Sequence, residues 1–514
     1  MYRQSFYHTS IVIIILILLS SCSHSLDKRD YKIDSEQQVN PKILVHAPFE
    51  GWVAGLPKIE APEGFNWRQF EGVKLNMISE NTPPSAALAA QINKFEEVTG
   101  ISVKIEQEDL PTIIEKVGLD FNARSGNYQI IYADPFQILA KYPENFVDLT
   151  SFNRDPTLPH IPGGVEDFIQ NQLDVVGYIE NRDKLLALPF DAPTMLLAYR
   201  KDVFSKYKEA FINENGYDWT PGPDFTWQQY YEVGKWINEK IEEGSITEVK
   251  YGIGHQAKRH DSLMNDFSNI LAANGGDYLV RPNPNLLGTT KPGKSAMTTD
   301  IAIESAEFYK RLLKIADPES TSYDWYESAE AFAAGRFAIS PQWHEYSSIF
   351  ENKGKSKIAG NVGWTILPKG EVRHANSFGG TGIGINRFAT DHEQKAAWLF
   401  LVWATSPQLQ YMILQSDLGG STPTRYSVYQ LPDVKNGMEY GTPESKQMPN
   451  LMPMKATFEA WKNENIYMRP KIPQWQQVDT FIFTELSKMI AGKQNPKETT
   501  IEISKKSNKA TDND

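Results

Sequence analysis

An α/β fold built on a largely parallel sheet is the class this sequence predicts, on three observations. Strand-like and helical patterns alternate as β-α-β-α-β between residues 73 and 132. The chain is 514 residues long, 40% hydrophobic and 23% charged, which suffices for two or more domains with packed cores. Its only cysteine is Cys22. No disulfide can form within the chain, so stability has to come from those cores.

The elements follow in order. Val73, Leu75 and Met77 alternate as a strand, broken by the polar, proline-rich stretch 79–84. Thr82 or Ser85 can cap the next helix, with Pro83 or Pro84 near its first turn. Leu88, Ile92, Phe95 and Val98 form its apolar stripe, and Gly100 ends it. Ile101, Val103 and Ile105 alternate as a second strand, a helix spans 111–124, and a third strand spans 128–132. Farther on, 195–199 reads as a strand and Thr226 as the cap of a Trp-rich helix. Residues 251–254 read as a short strand, 274–277 as a turn, and 303–316 as an amphipathic helix. A strand around Ile383 and Ile385 precedes a helix over 391–405. Residues 22–67, polar and then interrupted by Pro48, Pro57 and Pro62, are expected to be a tether. Residues 501–514 are expected to be a polar tail with a fraying end.

The leader carries a second message. Arg3 is followed by an uninterrupted apolar run over 11–19 and by Ser20 and Ser21 before Cys22. A spanning helix needs roughly 17–25 apolar residues, so this run is short for one. The arrangement resembles a bacterial lipoprotein signal, with an ordinary secretory signal and an incidental cysteine as the alternative. The resemblance implies that residues 1–21 are removed and that Cys22 is lipidated. It places the protein outside the cytoplasm, anchored to the membrane and facing the periplasm or exterior. Loss of Arg3 takes the formal net charge from −12 to −13. An acidic chain is poorly suited to nucleic acid, and an exported one has no ATP supply for nucleotide chemistry.

Five segments then carry a family resemblance. They are FEEVTGISV at 95–103, LPFD at 188–191 with LAYRKDVF at 197–204, AFAAGRFAI at 331–339 with Trp343, FGGTGIGI at 378–385, and GGSTPTR at 419–425. In this order, across about 68–500, they resemble the sugar-binding type (family 1) of extracellular solute-binding proteins of ABC importers. Ala187 departs from the pattern, standing where many relatives have glycine. The resemblance implies a two-lobed periplasmic-binding-protein type II fold with a hinge and a central ligand cleft. Lobe one would hold 68–190 and 378–430, and lobe two 191–377 and 431–500. It implies a monomer that is not an enzyme and uses no cofactor. Such a protein captures a carbohydrate (a mono- or oligosaccharide or a polyol) by lobe closure and delivers it to an ABC permease. A noncarbohydrate solute such as a glycerophosphodiester, peptide or polyamine is the nearer alternative. A secreted glycosidase is the remoter one, since the spacing of paired carboxylates is spatial and not legible in sequence. The nine histidines show no metal-ligand spacing, and no phosphate-binding loop precedes a helix.

Eight residues are candidates for contact with the solute. Trp343 could stack on the apolar face of a sugar while its N–H donates a hydrogen bond, or it could be core. Asp134 follows the third strand and Asp191 lies at the first lobe crossing. Both can accept hydroxyl protons, with a turn-forming role and a hinge ion pair as their alternatives. Glu80 and Asn81 sit in the first strand-end loop. Gly379 and Gly380 would admit close approach of a ligand or serve a tight crossing. Arg425 would reach vicinal hydroxyls or an anion, or pair with an acidic neighbour. Trp461, Tyr467 and Trp475 are candidates for the far wall.

Overall fold

The computed structural model describes residues 44–512 apart from 282–284, 417 and 419–421. The leader, Cys22 and the start of the 419–425 motif lie outside the described residues. β1 (Leu44–His46) and β2 (Glu60–Pro62) pair antiparallel, and Phe49, Leu56, Ile59 and Ala61 near them are buried. Phe49 packs edge-on to Trp67 at 5.7 Å and Gln408 bonds both Gly51 O and Val53 N. The expectation of a tether over 22–67 is therefore corrected for 44–67. Its prolines prevent long regular elements, but its aromatic and branched residues still bury, at roughly 1.5–3 kcal/mol each.

Next come β3 (Lys74–Glu80), β4 (Ser102–Glu108), β5 (Ile130–Ala133) and β6 (Leu188–Asp191). They are followed by β7 (Met195–Arg200), β8 (Tyr251–Ile253), β9 (Phe337–Trp343) and β10 (Val362–Thr365). β11 (Asn376–Ser377), β12 (Thr381–Ile385) and β13 (Ile466–Tyr467) complete the set. The first sheet has the order β4-β3-β5-β12-β6, with β4, β3 and β5 parallel and β12 antiparallel to both its neighbours. The second has the order β10-β7-β9-β8, and only β8 and β9 are parallel. The predicted β-α-β-α-β run thus supplies three of the five strands of a mixed sheet. Its alternation works as expected. Met77, Ile130, Tyr132 and Ile383 join the core on one face, while Ile78, Ile131 and Ala133 join that on the other.

The helices end where local chemistry stops them. The stripe from Leu88 to Val98 is split into Pro83–Ala89 and Ile92–Thr99, and Gly100 closes the second at φ 68°. Thr82 precedes the first helix without a side-chain cap bond. Thr226 caps Trp227–Glu242 with a reciprocal bond to Gln229. The C-terminal stretch is ordered: Pro496–Ala510 is a helix capped by Asn495, with Ile503 buried. Lys488 and Lys506 both meet the buried carboxylate of Glu485. The polar tail over 501–514 is corrected to a docked helix through residue 510, because one apolar stripe is enough to hold a charged helix. No helix among the described residues is long and apolar enough to cross a membrane.

The chain passes between the sheets at three places. β6 leads to β7 through 192–194, β11 leads to β12 through 378–380, and the segment 422–431 leads from helix Pro407–Leu414 toward helix Met454–Ala460. These passages are knit together at one point. The Trp461 indole donates to Thr194 Oγ1 at 2.9 Å, and Thr194 N–H donates to His344 Nδ1 at 3.1 Å. The Thr422 hydroxyl lies 2.6 Å from His344 Nε2. Burial pushes His344 down to about 4, so the ring is neutral, with Nδ1 also 3.1 Å from Thr194 O.

Candidate functional site

A cleft with about 470 Å³ of empty space, its open mouth included, lies where the two sheets face each other. One wall comes from the carboxyl ends of the parallel strands: Glu80 ends β3, Tyr132 lies in β5 and Asp134 follows it. That is the edge where open α/β sheets bind ligands. The other wall comes from the second sheet and its helices. Trp343 ends β9, Glu345 and Tyr346 follow it, and Asp261 and Asn265 start helix Asp261–Ala273. Gly379, Thr381 and Pro193 floor the cleft at the crossings, and Arg469 enters from the C-terminal segment.

Four of the eight sequence candidates stand in this wall: Glu80, Asp134, Trp343 and Gly379. Asp134 has the turn-forming role considered for it and also borders the cleft. Its Oδ1 accepts from Phe136 N at 2.9 Å and Gln137 N at 2.7 Å, and its Oδ2 lies 3.9 Å from Arg469. Trp343 is 6% exposed, and its indole N–H is buried without a protein acceptor. A Cβ on Gly379 would lie 2.8 Å from the Trp343 ring, so this glycine makes room for the indole.

The other four are placed elsewhere. Asn81 is exposed and its N–H donates to Glu108 O, leaving Thr82 to line the cleft. Gly380 is needed for the crossing, because a Cβ there would come within 2.0 Å of the Phe378 ring. Asp191 lies behind the wall, accepting from Thr422 N at 3.2 Å and sharing a hydrogen bond with the Glu345 carboxyl. Its expected hinge ion pair is replaced by a carboxyl–carboxyl contact. For Arg425 the solute-contact expectation is corrected, and its alternative, pairing with an acidic neighbour, is met by Asp167 at 3.7 Å. Arg425 is fully buried away from the cleft, donating to Thr405 O at 2.9 Å and Pro162 O at 3.0 Å, with its guanidinium 3.5 Å above the Phe168 ring. The far-wall candidates are structural as well. Trp461 holds Thr194, Tyr467 donates to Asp277 at 3.1 Å, and Trp475 packs on Tyr278.

The cleft residues missed in the sequence include Arg469, Glu345 and Asp261. Arg469 lies 3.7 Å from Asp261 and 4.2 Å over the Phe136 ring. Gln137 donates across to Asp261 at 3.1 Å, so loops of the two sheets already touch. Glu345 had one available signal, its place two residues after Trp343. Nothing around Arg469 marks it in sequence.

Burial governs the ionisation of this site. It pushes Glu80 up to about 8, helped by Asp134 and opposed by a hydrogen bond with Tyr132. It pushes Asp191 up to about 6. Glu345 rises well above the carboxylate range through burial and the nearby Asp191 and Glu80. Burial also raises Asp134, against the pull of Arg469. Protonated carboxyls donate as well as accept, so the wall presents both halves of the hydrogen bonds that hydroxyl groups make. Among the described residues no group of three or more His, Cys, Asp or Glu side chains is arranged to hold a metal ion.

Comparison with known proteins agrees with this geometry. A solute-binding protein from Agrobacterium radiobacter solved with ribitol has a TM-score of 0.69 at 24% identity, covering 86% of this chain and 99% of that one. One from Agrobacterium vitis solved with D-mannitol has a TM-score of 0.66 at 20% identity, covering 84% and 97%. In sequence, the erythritol/L-threitol-binding protein of Mycolicibacterium smegmatis is 22% identical over 72% of this chain and 74% of its own length. A probable amino-acid ABC transporter periplasmic-binding protein of Sinorhizobium fredii is 20% identical over 85% and 89%. The profile of the family described as "Bacterial extracellular solute-binding protein" matches residues 90–442. With that match over most of its length, the chain belongs to the bacterial extracellular solute-binding proteins.

Proposed function

We propose that this protein is the solute receptor of an ABC importer and that it takes a carbohydrate or polyol. The observation that carries the reading is the cleft itself. Trp343, Tyr346 and Tyr132 offer apolar faces, and Glu80, Asp134, Asp261 and Glu345 offer hydroxyl partners. The ribitol, mannitol and erythritol/L-threitol named for the similar proteins support the same ligand class. Loops from both sheets line the cleft, so a bound solute contacts both and favours the closed arrangement. The permease then takes up the closed form. The lobes are assigned as 68–190 with 378–430 and 191–377 with 431–500.

The chemistry is capture without turnover. A thermal-shift screen of the exported body against sugars, polyols, amino acids and peptides tests this. A ligand present at 100 times its Kd raises native stability by about 2.7 kcal/mol. A shift with a sugar or polyol that is recovered unchanged supports the reading. Hydrolysis of an oligosaccharide would make the protein a glycosidase, and a shift only with amino acids would overturn the sugar assignment. Anchoring through Cys22 belongs to the same proposal. Cys22→Ser is expected to release the protein from membranes in a cell-fractionation assay, and its retention there would exclude the lipid anchor.

A further inference from the structure

The cleft holds more carboxyl groups than basic ones. Four carboxyl groups line it (Glu80, Asp134, Asp261 and Glu345), with Arg469 the one basic side chain in its wall among the described residues. That guanidinium stands beside Asp134 and Asp261 and over Phe136, so its charge is already engaged. Glu80, Glu345 and Asp191 form no ion pair among the described residues. Glu345 is 5% exposed and lines the cleft, and its side-chain contacts are carboxyl to carboxyl, with Asp191 and near Glu80. Its Oε2 is buried without a donor from the protein. The rings of Trp343 and Tyr346 line the same cleft, and their π-faces attract cations.

We propose that the natural solute carries a protonated amine, as an amino sugar or amino polyol does. The amine is held between the Glu80 and Glu345 carboxyls and against the Trp343 and Tyr346 rings. The inference rests on the cleft being the solute site. Buried carboxyls without an ion-pair partner stay protonated, and a cation placed among them offsets what burial otherwise penalises. Glu80 faces Tyr132, Asp134, Asp261, Arg469 and Glu345. Glu345 faces Asp191, Glu80, Tyr132 and Tyr346. Around Glu80 three carboxyls stand against the one guanidinium, and around Glu345 two carboxyls stand with no basic group named beside them. A bound ammonium lowers the pKa of the adjacent carboxyl, so binding releases a proton to solvent. No covalent bond changes.

Calorimetric titration at pH 7 with matched pairs tests the idea. The pairs are glucosamine against glucose, galactosamine against galactose, and 1-amino-1-deoxyglucitol against glucitol, with ribitol, mannitol and maltose added as neutral solutes. One amine is expected to bind at least about tenfold more tightly than its neutral partner, with a heat that varies with the ionisation enthalpy of the buffer. Glu345→Gln, which keeps shape and removes charge, is expected to reduce that preference to below about threefold at unchanged thermal stability. A neutral solute binding as tightly as its amine, or a preference untouched by Glu345→Gln, overturns the inference and leaves the receptor reading standing.

Discussion

Two buried charge clusters in this molecule have opposite fates. Around Arg425 most demands are met from within, only its Nη2 being buried without a hydrogen-bond partner. Backbone carbonyls of Thr405 and Pro162 accept its protons, the Phe168 ring lies beneath it, and Asp167 lies 3.7 Å away while also accepting from Ser427 N and Oγ. In the cleft the balance is left open. Carboxyls face carboxyls, and the Trp343 N–H and Glu345 Oε2 are buried without protein partners. Arg425 has a carboxylate, backbone carbonyls and a ring to fix it in the fold, whereas the unpaired groups of the cleft stand at a cavity that a solute could enter. Sequence position does not separate the two cases, since Arg425 and Glu345 each sit within or next to a recognisable motif.

The contrast can be broken most forcefully at Arg425. Arg425→Ala leaves the half-buried Asp167 without its cation and orphans two carbonyls, and it is expected to destabilise the protein by about 3–5 kcal/mol. Denaturant unfolding measures that loss, while the folded fraction keeps the solute affinity of the parent. Trp343→Ala should do the reverse. Solute binding weakens by more than about tenfold, about 1.4 kcal/mol, in a calorimetric titration. The mutant unfolds as a cooperative unit with modestly reduced stability, because the ring meets the cleft on one side.

A finer difference lies in pH. Glu80 is raised to about 8 in the folded protein, so its contribution to stability is fully present below pH 4.5 and is lost as pH rises through 8. Lys471, lowered to about 7 by burial, runs against it: its stabilising share is complete above pH 10.5 and is lost as pH falls through 7. The two are separated by comparing parent and Glu80→Gln. The variant should gain in melting temperature relative to the parent as pH climbs from 6 to 9, in the absence of solute. His344 supplies the smallest effect. Its folded value near 4 means stability is present above pH 6.5 and falls away as pH drops toward 4. His344→Gln should flatten that acid limb in a melting series between pH 7 and 4.

Much of the first sheet was legible because its signals are local. Alternation at Leu75 and Met77, Gly100 at the end of a helix, and the capping box at Thr226 each depend on neighbours a few residues away. The antiparallel insertion of β12 between β5 and β6 was not readable by spacing, since it joins residues more than 180 positions apart in sequence. The N-terminal strands escape a local reading because prolines mask burial that depends on Trp403 and Gln408, far along the chain. At the site, Glu80, Asp134 and Trp343 were found because strand ends and a motif point to them. Arg469 was not, because nothing near it in sequence shows that it reaches Asp134 and Asp261. Arg425 was judged by its residue type, which does not say which way a guanidinium turns.

The central claim is that solute binds among Glu80, Glu345 and Trp343. The most direct test is a calorimetric titration of the parent, Trp343→Ala and Arg425→Lys proteins against one sugar or polyol, neutral or amine-bearing, that shifts the parent's melting temperature. The account predicts that Trp343→Ala loses more than about tenfold in affinity, while Arg425→Lys loses stability and keeps its affinity. Unchanged binding in a folded Trp343→Ala protein would place the solute elsewhere and contradict it.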